Sequence, residues 1–315
     1  MDVTPVMSSA SEPATGPTGS IAAMAQQAWG ALSYAARTVG VPAGVRGLAV
    51  ELAYTAVHLS VYPLGLLDEA LRPGGVHAHH RTDTLPPGER SLLVSDLDGS
   101  TIPVLLVHGI VDNRSIFHYL ARTLRRRGHG TVQAVNYSPL TAFTGDIRTA
   151  ARDLGDHVER LCAVSGADRV HIVGHSLGGL ISRYYVQRLG GDARVDTLVT
   201  LGTPHRGSAI AHLLPPTLVP RQLQPGSDLL RELEEPAPDC RTRFLAVWSA
   251  MDQLIIPQRN ARLKHPDLQV ENVRLDHVGH MAMTIDPQVV HLVACRLGRT
   301  RSPRERTTAV TAVAG

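Results

Sequence analysis

From residue 103 onward the chain alternates short apolar runs with longer stretches in which apolar residues recur every three or four positions. The runs at 104–107, 131–135, 169–173, 197–201, 244–248 and 270–275 have strand length and are rich in β-branched residues, which predicts six strands. Helical spacing predicts helices at 116–127, 180–189 and 288–297. A further helix carries Ile147, Ala151, Leu154, Val158 and Leu161 and stops at Gly166. The first of these ends in Arg125, Arg126 and Arg127, which suits the negative end of a helix dipole, and Gly128 stops it. Strands that alternate with helices imply a mainly parallel sheet covered on both faces.

The pattern is different before residue 103. Residues 1–20 are rich in Ser, Pro, Thr, Ala and Gly, carry only Asp2 and Glu12 as charges, and are expected to be disordered. No basic segment followed by an apolar run marks a signal peptide, so a cytoplasmic or peripherally membrane-associated protein is expected. Residues 21–39 form a weak helical pattern that Pro42 and its neighbouring glycines interrupt. Residues 47–67 are the most apolar stretch, yet Glu51, Thr55, His58 and Tyr62 line one narrow polar stripe and Pro63 then breaks the helix. A helix packed on the domain that follows or lying at a membrane surface is expected there, because a central Glu and His cost a membrane span several kcal/mol. Pro73-Gly74-Gly75 and Pro86-Pro87-Gly88 mark 72–90 as a linker, which makes 21–90 a helical extension with its linker. A strand at 91–95 would open the main α/β domain, taken as 91–298, and the basic tail 299–315 is expected to be disordered.

Composition narrows the picture only a little. Charged residues at 19% and hydrophobic ones at 43% describe a globular protein, and a net charge of +3 with no nucleic-acid motif gives no reason to expect nucleic acid as a partner. Cys162, Cys240 and Cys295 are widely spaced and odd in number, so small buried hydrophobes are favoured over a disulfide framework. His77, His79 and His80 could ligate a metal but are read as a solvated loop.

The chemistry concentrates at Gly174-His175-Ser176-Leu177-Gly178-Gly179, between a predicted strand and a predicted helix. That is the context of a nucleophile elbow, where a serine at the tip of a sharp turn is strained and Gly174 and Gly178 let the neighbouring strand and helix approach. A serine hydroxyl is a poor nucleophile at neutral pH, so it needs a histidine base, itself held by a carboxylate. In the fold that uses this elbow both follow the serine, the acid first, on loops at the carboxyl ends of late strands. Asp252 follows the 244–248 strand, whereas Asp196 is expected before a strand and Asp228 within a helix. For the base, His280 lies where the last helical region begins and is preferred to His277. The oxyanion would need N–H donors, for which the amides of Leu177 and of Ile110, in His108-Gly109-Ile110, are the candidates. His108 and His205 are expected to shape a pocket.

Val107-His108-Gly109, the elbow, and Gly202-Thr203-Pro204-His205-Arg206-Gly207-Ser208 together resemble the bacterial triacylglycerol lipase and esterase group of the α/β-hydrolase superfamily, over about 103–297. The resemblance implies an α/β-hydrolase fold, with Ser176 as nucleophile, Asp252 as acid, His280 as base, Ile110 and Leu177 as oxyanion donors, and no metal or organic cofactor. It implies a lipid or other acyl ester as substrate. Residues 1–90 match nothing in that group. An acyltransferase or thioesterase with the same triad is the alternative within the fold, and a catalytically silent lipid-binding protein on the same scaffold is the alternative outside it. The apolar stretch 208–239 either lines an acyl pocket, acts as a lid or forms a peripheral crossover with its own small core.

Overall fold

In this computed structural model the described residues are 102–109, 114–135 and 145–298. The expectations for 1–20, 21–39, 47–67, the 77–80 histidines, the 91–95 strand, Ile110 and the 299–315 tail all lie outside them.

The four apolar residues of β1 (Val104–Val107) are all buried, as is every residue of β3 (Val170–His175) and β4 (Val195–Leu201). A strand with no solvent face must lie inside a sheet that is covered on both sides. By the same logic β2 (Val132–Ala134) and β6 (Gln269–Leu275), which bury fewer of their residues, belong at the edges, with β5 (Arg243–Ser249) between β4 and β6. The sheet has this arrangement: six strands in the order β2-β1-β3-β4-β5-β6, every neighbouring pair parallel.

Parallel neighbours need crossovers, and the helices supply them. α1 (His118–Arg126) follows a short 3-10 turn, Arg114–Phe117, so the predicted 116–127 helix is split. α2 (Ile147–Ser165) starts where Asp146 accepts the amide hydrogen of Arg148 and stops at Gly166 with φ 70°. Such a cap contributes about 1 kcal/mol, and the left-handed stop favours glycine. α3 (Leu177–Arg188) begins directly after Ser176, earlier than the periodicity alone predicts. Two short helices, α4 (Leu218–Gln222) and α5 (Asp228–Glu232), lie between β4 and β5. α6 (Pro287–Leu297) is capped by Asp286, with proline at the first helical position where no N–H is missed.

Chain direction decides which face each helix covers. The path from β1 to β2 runs one way across the sheet, and the path from β3 through β4 and β5 to β6 runs the other, so right-handed crossovers put α1 on the opposite face from α2 and α3. Leu105, Val107, Ile172, Leu198, Phe244 and Ala246 accordingly share one core cluster with the apolar stripes of α2 and α3. The alternating residues Leu106, Val173, Val199, Leu245 and Val247 are equally buried and point toward the side of α1 and α6, which pack on each other. The reversal lies between β1 and β3. At such a switch point the loops leaving adjacent strands diverge and open a crevice at their carboxyl ends.

Candidate active site

β3 ends at His175 and α3 starts at Leu177, so a single residue must turn the chain. Ser176 does so at φ 53° and ψ −124°, the one non-glycine residue with positive φ among the described residues. A conformation of this kind costs about 1–3 kcal/mol and persists only where its surroundings enforce it. Here the Ser176 N–H donates to the Leu201 carbonyl at 2.8 Å, and the Ser176 carbonyl accepts from the Gly179 amide at 3.1 Å and from Thr203 Oγ1 at 3.0 Å. The glycines are needed for close approach. A Cβ on Gly174 would lie 2.5 Å from Gly179 Cα, one on Gly178 2.2 Å from the Val107 carbonyl oxygen, and one on Gly179 1.9 Å from Thr203 Oγ1. The turn leaves the Ser176 side half-buried while its neighbours His175 and Leu177 are buried.

Asp252 stands in the loop after β5 and is fully buried. Its Oδ1 accepts the amides of Leu254 and Ile255, each at 2.9 Å, and its Oδ2 lies 2.7 Å from His280 Nδ1. A carboxylate only accepts, so Nδ1 carries the ring hydrogen and Nε2 is the proton-accepting nitrogen, the tautomer a general base needs. His280 immediately precedes a 3-10 turn, Met281–Thr284. Its carbonyl accepts from His175 Nε2 at 3.0 Å, and the two imidazole rings lie 4.9 Å apart. His175, next to the serine, thus ties the elbow to the loop that carries His280. Gly202 passes beneath this pair at φ 55°, where a Cβ would sit 3.2 Å from His280 Nδ1 and 3.3 Å from Asp252 Oδ2.

The other carboxylates and histidines named from the sequence are elsewhere. Asp228 is exposed at the start of α5 and pairs with Arg231. Asp196 lies inside β4, not before it, because Arg243 and the Thr197 hydroxyl satisfy its carboxylate and let the strand begin at Val195. It is buried near the amino end of the strand, 3.6 Å from His171 Nδ1. His277 is exposed. His108 is buried, its Nδ1 2.8 Å from the Gly109 carbonyl. His205 is buried against Thr200, with Nε2 3.0 Å from Oγ1, and burial foremost, then the Arg183 cation, holds its pKa well below the ordinary imidazole value. It therefore stays neutral. The Leu177 amide belongs to the first turn of α3, where helical N–H groups lack intrahelical partners and attract negative charge.

A sequence profile described as the alpha/beta hydrolase fold matches residues 102–227. With the parallel sheet, its switch point and the serine turn between β3 and α3, this match identifies the fold. The chain has the α/β-hydrolase fold. Triacylglycerol lipases of Pseudarthrobacter phenanthrenivorans and Burkholderia plantarii are each 33% identical to it over 115 residues, covering 35% of this chain and 35% and 31% of theirs. The matched stretch thus spans about a third of the length of these curated relatives. Among solved structures, Aspergillus fumigatus lipase B superposes with a TM-score of 0.55 at 18% identity, covering 64% of this chain and 53% of that one.

Two parts of the site were not read from the sequence. Thr203 and Gly202 were noticed only as members of a motif, although one holds the Ser176 carbonyl and the other makes room for the His280–Asp252 pair. The segment 208–239 is the second. Val219, Leu223, Leu229, Leu230 and Leu233 are buried in the same cluster as α2 and α3. Gln222 donates to Asp146 Oδ1 at 2.7 Å and accepts the Ile147 amide at 3.0 Å, while Glu232 accepts from Arg148 and, at 2.8 Å, from the Tyr184 hydroxyl. Residues 219–233 are therefore a packed crossover. Leu213, at 84% exposed, and the partly exposed Leu218 and Leu254 present apolar surface instead. Among the described residues no helix is long and apolar enough to cross a membrane, and no cluster of three metal-ligating side chains occurs.

Proposed function

We propose that this chain is a serine carboxylester hydrolase acting on lipid-like acyl esters. The observation that carries the reading is the strained Ser176 at the β3–α3 turn together with the buried His280–Asp252 pair at 2.7 Å. Ser176 Oγ attacks the acyl carbonyl while His280 Nε2 takes its proton, and Asp252 stabilises the resulting imidazolium. The oxyanion is received by the Leu177 amide and by the loop after β1, with Ile110 as second donor. His280 then protonates the departing alcohol, and water, activated by the same nitrogen, releases the acid and restores the serine.

The substrate class rests on the names of the relatives, which are triacylglycerol lipases, and on the apolar surface of Leu213, Leu218 and Leu254. The extension 21–90, with peripheral membrane contact through 47–67, completes the proposal as the part that brings the catalytic domain, 91–298, to a lipid surface. The test is a chain-length series of p-nitrophenyl esters and triacylglycerols, run with wild type and Ser176→Ala. Wild type should hydrolyse them, and Ser176→Ala should lose about 10⁵-fold or more in kcat. Equal turnover by the variant would end the assignment.

A further inference from the structure

Arg183 lies on α3 within two turns of Ser176 and is 1% exposed, the largest fully buried side chain described. Its partners are all neutral oxygens. Nε donates to Gln187 Oε1 at 2.6 Å, one terminal nitrogen to the His205 carbonyl at 3.2 Å, and the other to the Leu233 carbonyl at 2.8 Å. Burial pulls its pKa down to about 9, so it is still a cation at neutral pH. Burying a cation costs several kcal/mol, and an apolar side chain of similar volume would serve stability at least as well. What an apolar side chain could not do is hold two backbone carbonyls from different segments with one rigid planar fork.

One of those segments is the 202–208 loop, and this loop touches every member of the triad. Gly202 abuts His280 and Asp252, and Thr203 donates to the Ser176 carbonyl. Ser208 donates to the Leu254 carbonyl at 2.8 Å and accepts the Ile256 amide at 3.0 Å, in the loop that carries Asp252. His205 sits between these contacts, held from below by Arg183 through its carbonyl and by Thr200 through its ring.

We propose that Arg183 is a positioning residue for the triad: it fixes the 202–208 loop to the nucleophile helix, so that Thr203 and Gly202 hold the serine turn and the His280–Asp252 pair in register. The proposal rests on the ester-hydrolase reading for what the triad does. An error of about 1 Å in a reacting group costs on the order of 100-fold in rate, so a partial slip of the loop has a measurable effect. The effect falls on kcat, because Arg183 is buried beneath the loop and does not bind substrate.

The test is a double-mutant cycle of Arg183→Met and Thr203→Val, measured by kcat and KM on a short p-nitrophenyl ester and by the rate of phosphonylation with a fluorophosphonate. Arg183→Met should lower kcat and the phosphonylation rate about 30-fold with KM within about 2-fold of wild type, and Thr203→Val should lower them about 10-fold. Because one side chain acts through the other, the double variant should fall only about 30-fold, whereas the independent product of about 300-fold would overturn the proposal. A raised KM with kcat intact would overturn it as well. If Arg183→Met does not fold, Arg183→Lys, whose ammonium cannot span both carbonyls, carries the same cycle with an expected loss of about 5-fold. Wild type that neither hydrolyses the ester nor reacts with the fluorophosphonate would overturn the hydrolase reading and this inference together. An active wild type with unimpaired Arg183 variants would overturn this inference alone.

Discussion

Two histidine–aspartate pairs are buried in this sheet, at opposite ends of its strands. His280 and Asp252 meet at 2.7 Å on loops beyond the carboxyl ends, while His171 on β3 and Asp196 on β4 stand 3.6 Å apart near the amino ends. In the first pair Asp252 spends one oxygen on two loop amides and keeps the other for the histidine. In the second, Asp196 is taken by Arg243 and the Thr197 hydroxyl. Burial alone would raise the Asp196 carboxyl, but the Arg243 hydrogen bond and the neighbouring charges outweigh it and hold the group below its ordinary value. Burial likewise pushes His171 down to about 4, against the pull of Asp196, so this histidine is neutral at neutral pH. A buried His–Asp pair is therefore not a catalytic device in itself. One pair lies on loops beyond the carboxyl ends of the strands, the end at which Ser176 turns the chain, and the other ties three strands together.

The widest separation of the two pairs should come from replacing each aspartate. Asp252→Asn should lower kcat about 10⁴-fold by favouring the wrong imidazole tautomer, with little change in fold. Asp196→Asn should leave kcat within about 2-fold yet cost about 3 kcal/mol of stability, because it removes the buried negative charge that faces Arg243. Steady-state kinetics and urea unfolding on both variants check this, and reversed outcomes would exchange the roles of the pairs. A smaller effect comes from acid. Because the folded pKa of His171 is depressed, the unfolded chain takes up the proton first as pH falls below about 6.5, and stability falls with it. The loss from His171 alone should reach about 2 kcal/mol by pH 4.5. His205, also depressed, acts in the same direction. His171→Gln should shallow this acid limb in urea unfolding between pH 7 and 4.5, whereas an unchanged limb would mean the histidine is not held neutral.

The parts of this molecule written in local sequence were legible, and the parts made by distant contacts were not. β1 occupies the four residues its apolar run marks, and α2 follows its stripe from Ile147 to the residue before Gly166. Asp252 and His280, chosen from which loops follow which strands, are brought together at 2.7 Å. Asp196 was misplaced because a strand interior disfavours a carboxylate until a partner on the next strand satisfies it, and nothing near Asp196 in sequence announces Arg243. Arg183 was passed over for a similar reason. In an amphipathic helix an arginine reads as solvent-facing, and only the tertiary fold shows that α3 is buried nearly all round, with Arg183 turned inward onto two carbonyls. The 219–233 crossover was ambiguous because apolar residues spaced by prolines suit a lid and a packed segment equally; its anchors, Asp146, Arg148 and Tyr184, are far away in the chain.

The central claim is that Ser176 is the nucleophile activated by His280. Its most direct test is to react the whole chain with a fluorophosphonate and map the adduct by peptide mass spectrometry, alongside His280→Ala. A single adduct on Ser176, formed at least about 1000-fold more slowly without His280, is the result this account predicts. No adduct, an adduct on another serine such as Ser208, or equal labelling of the His280 variant would contradict it.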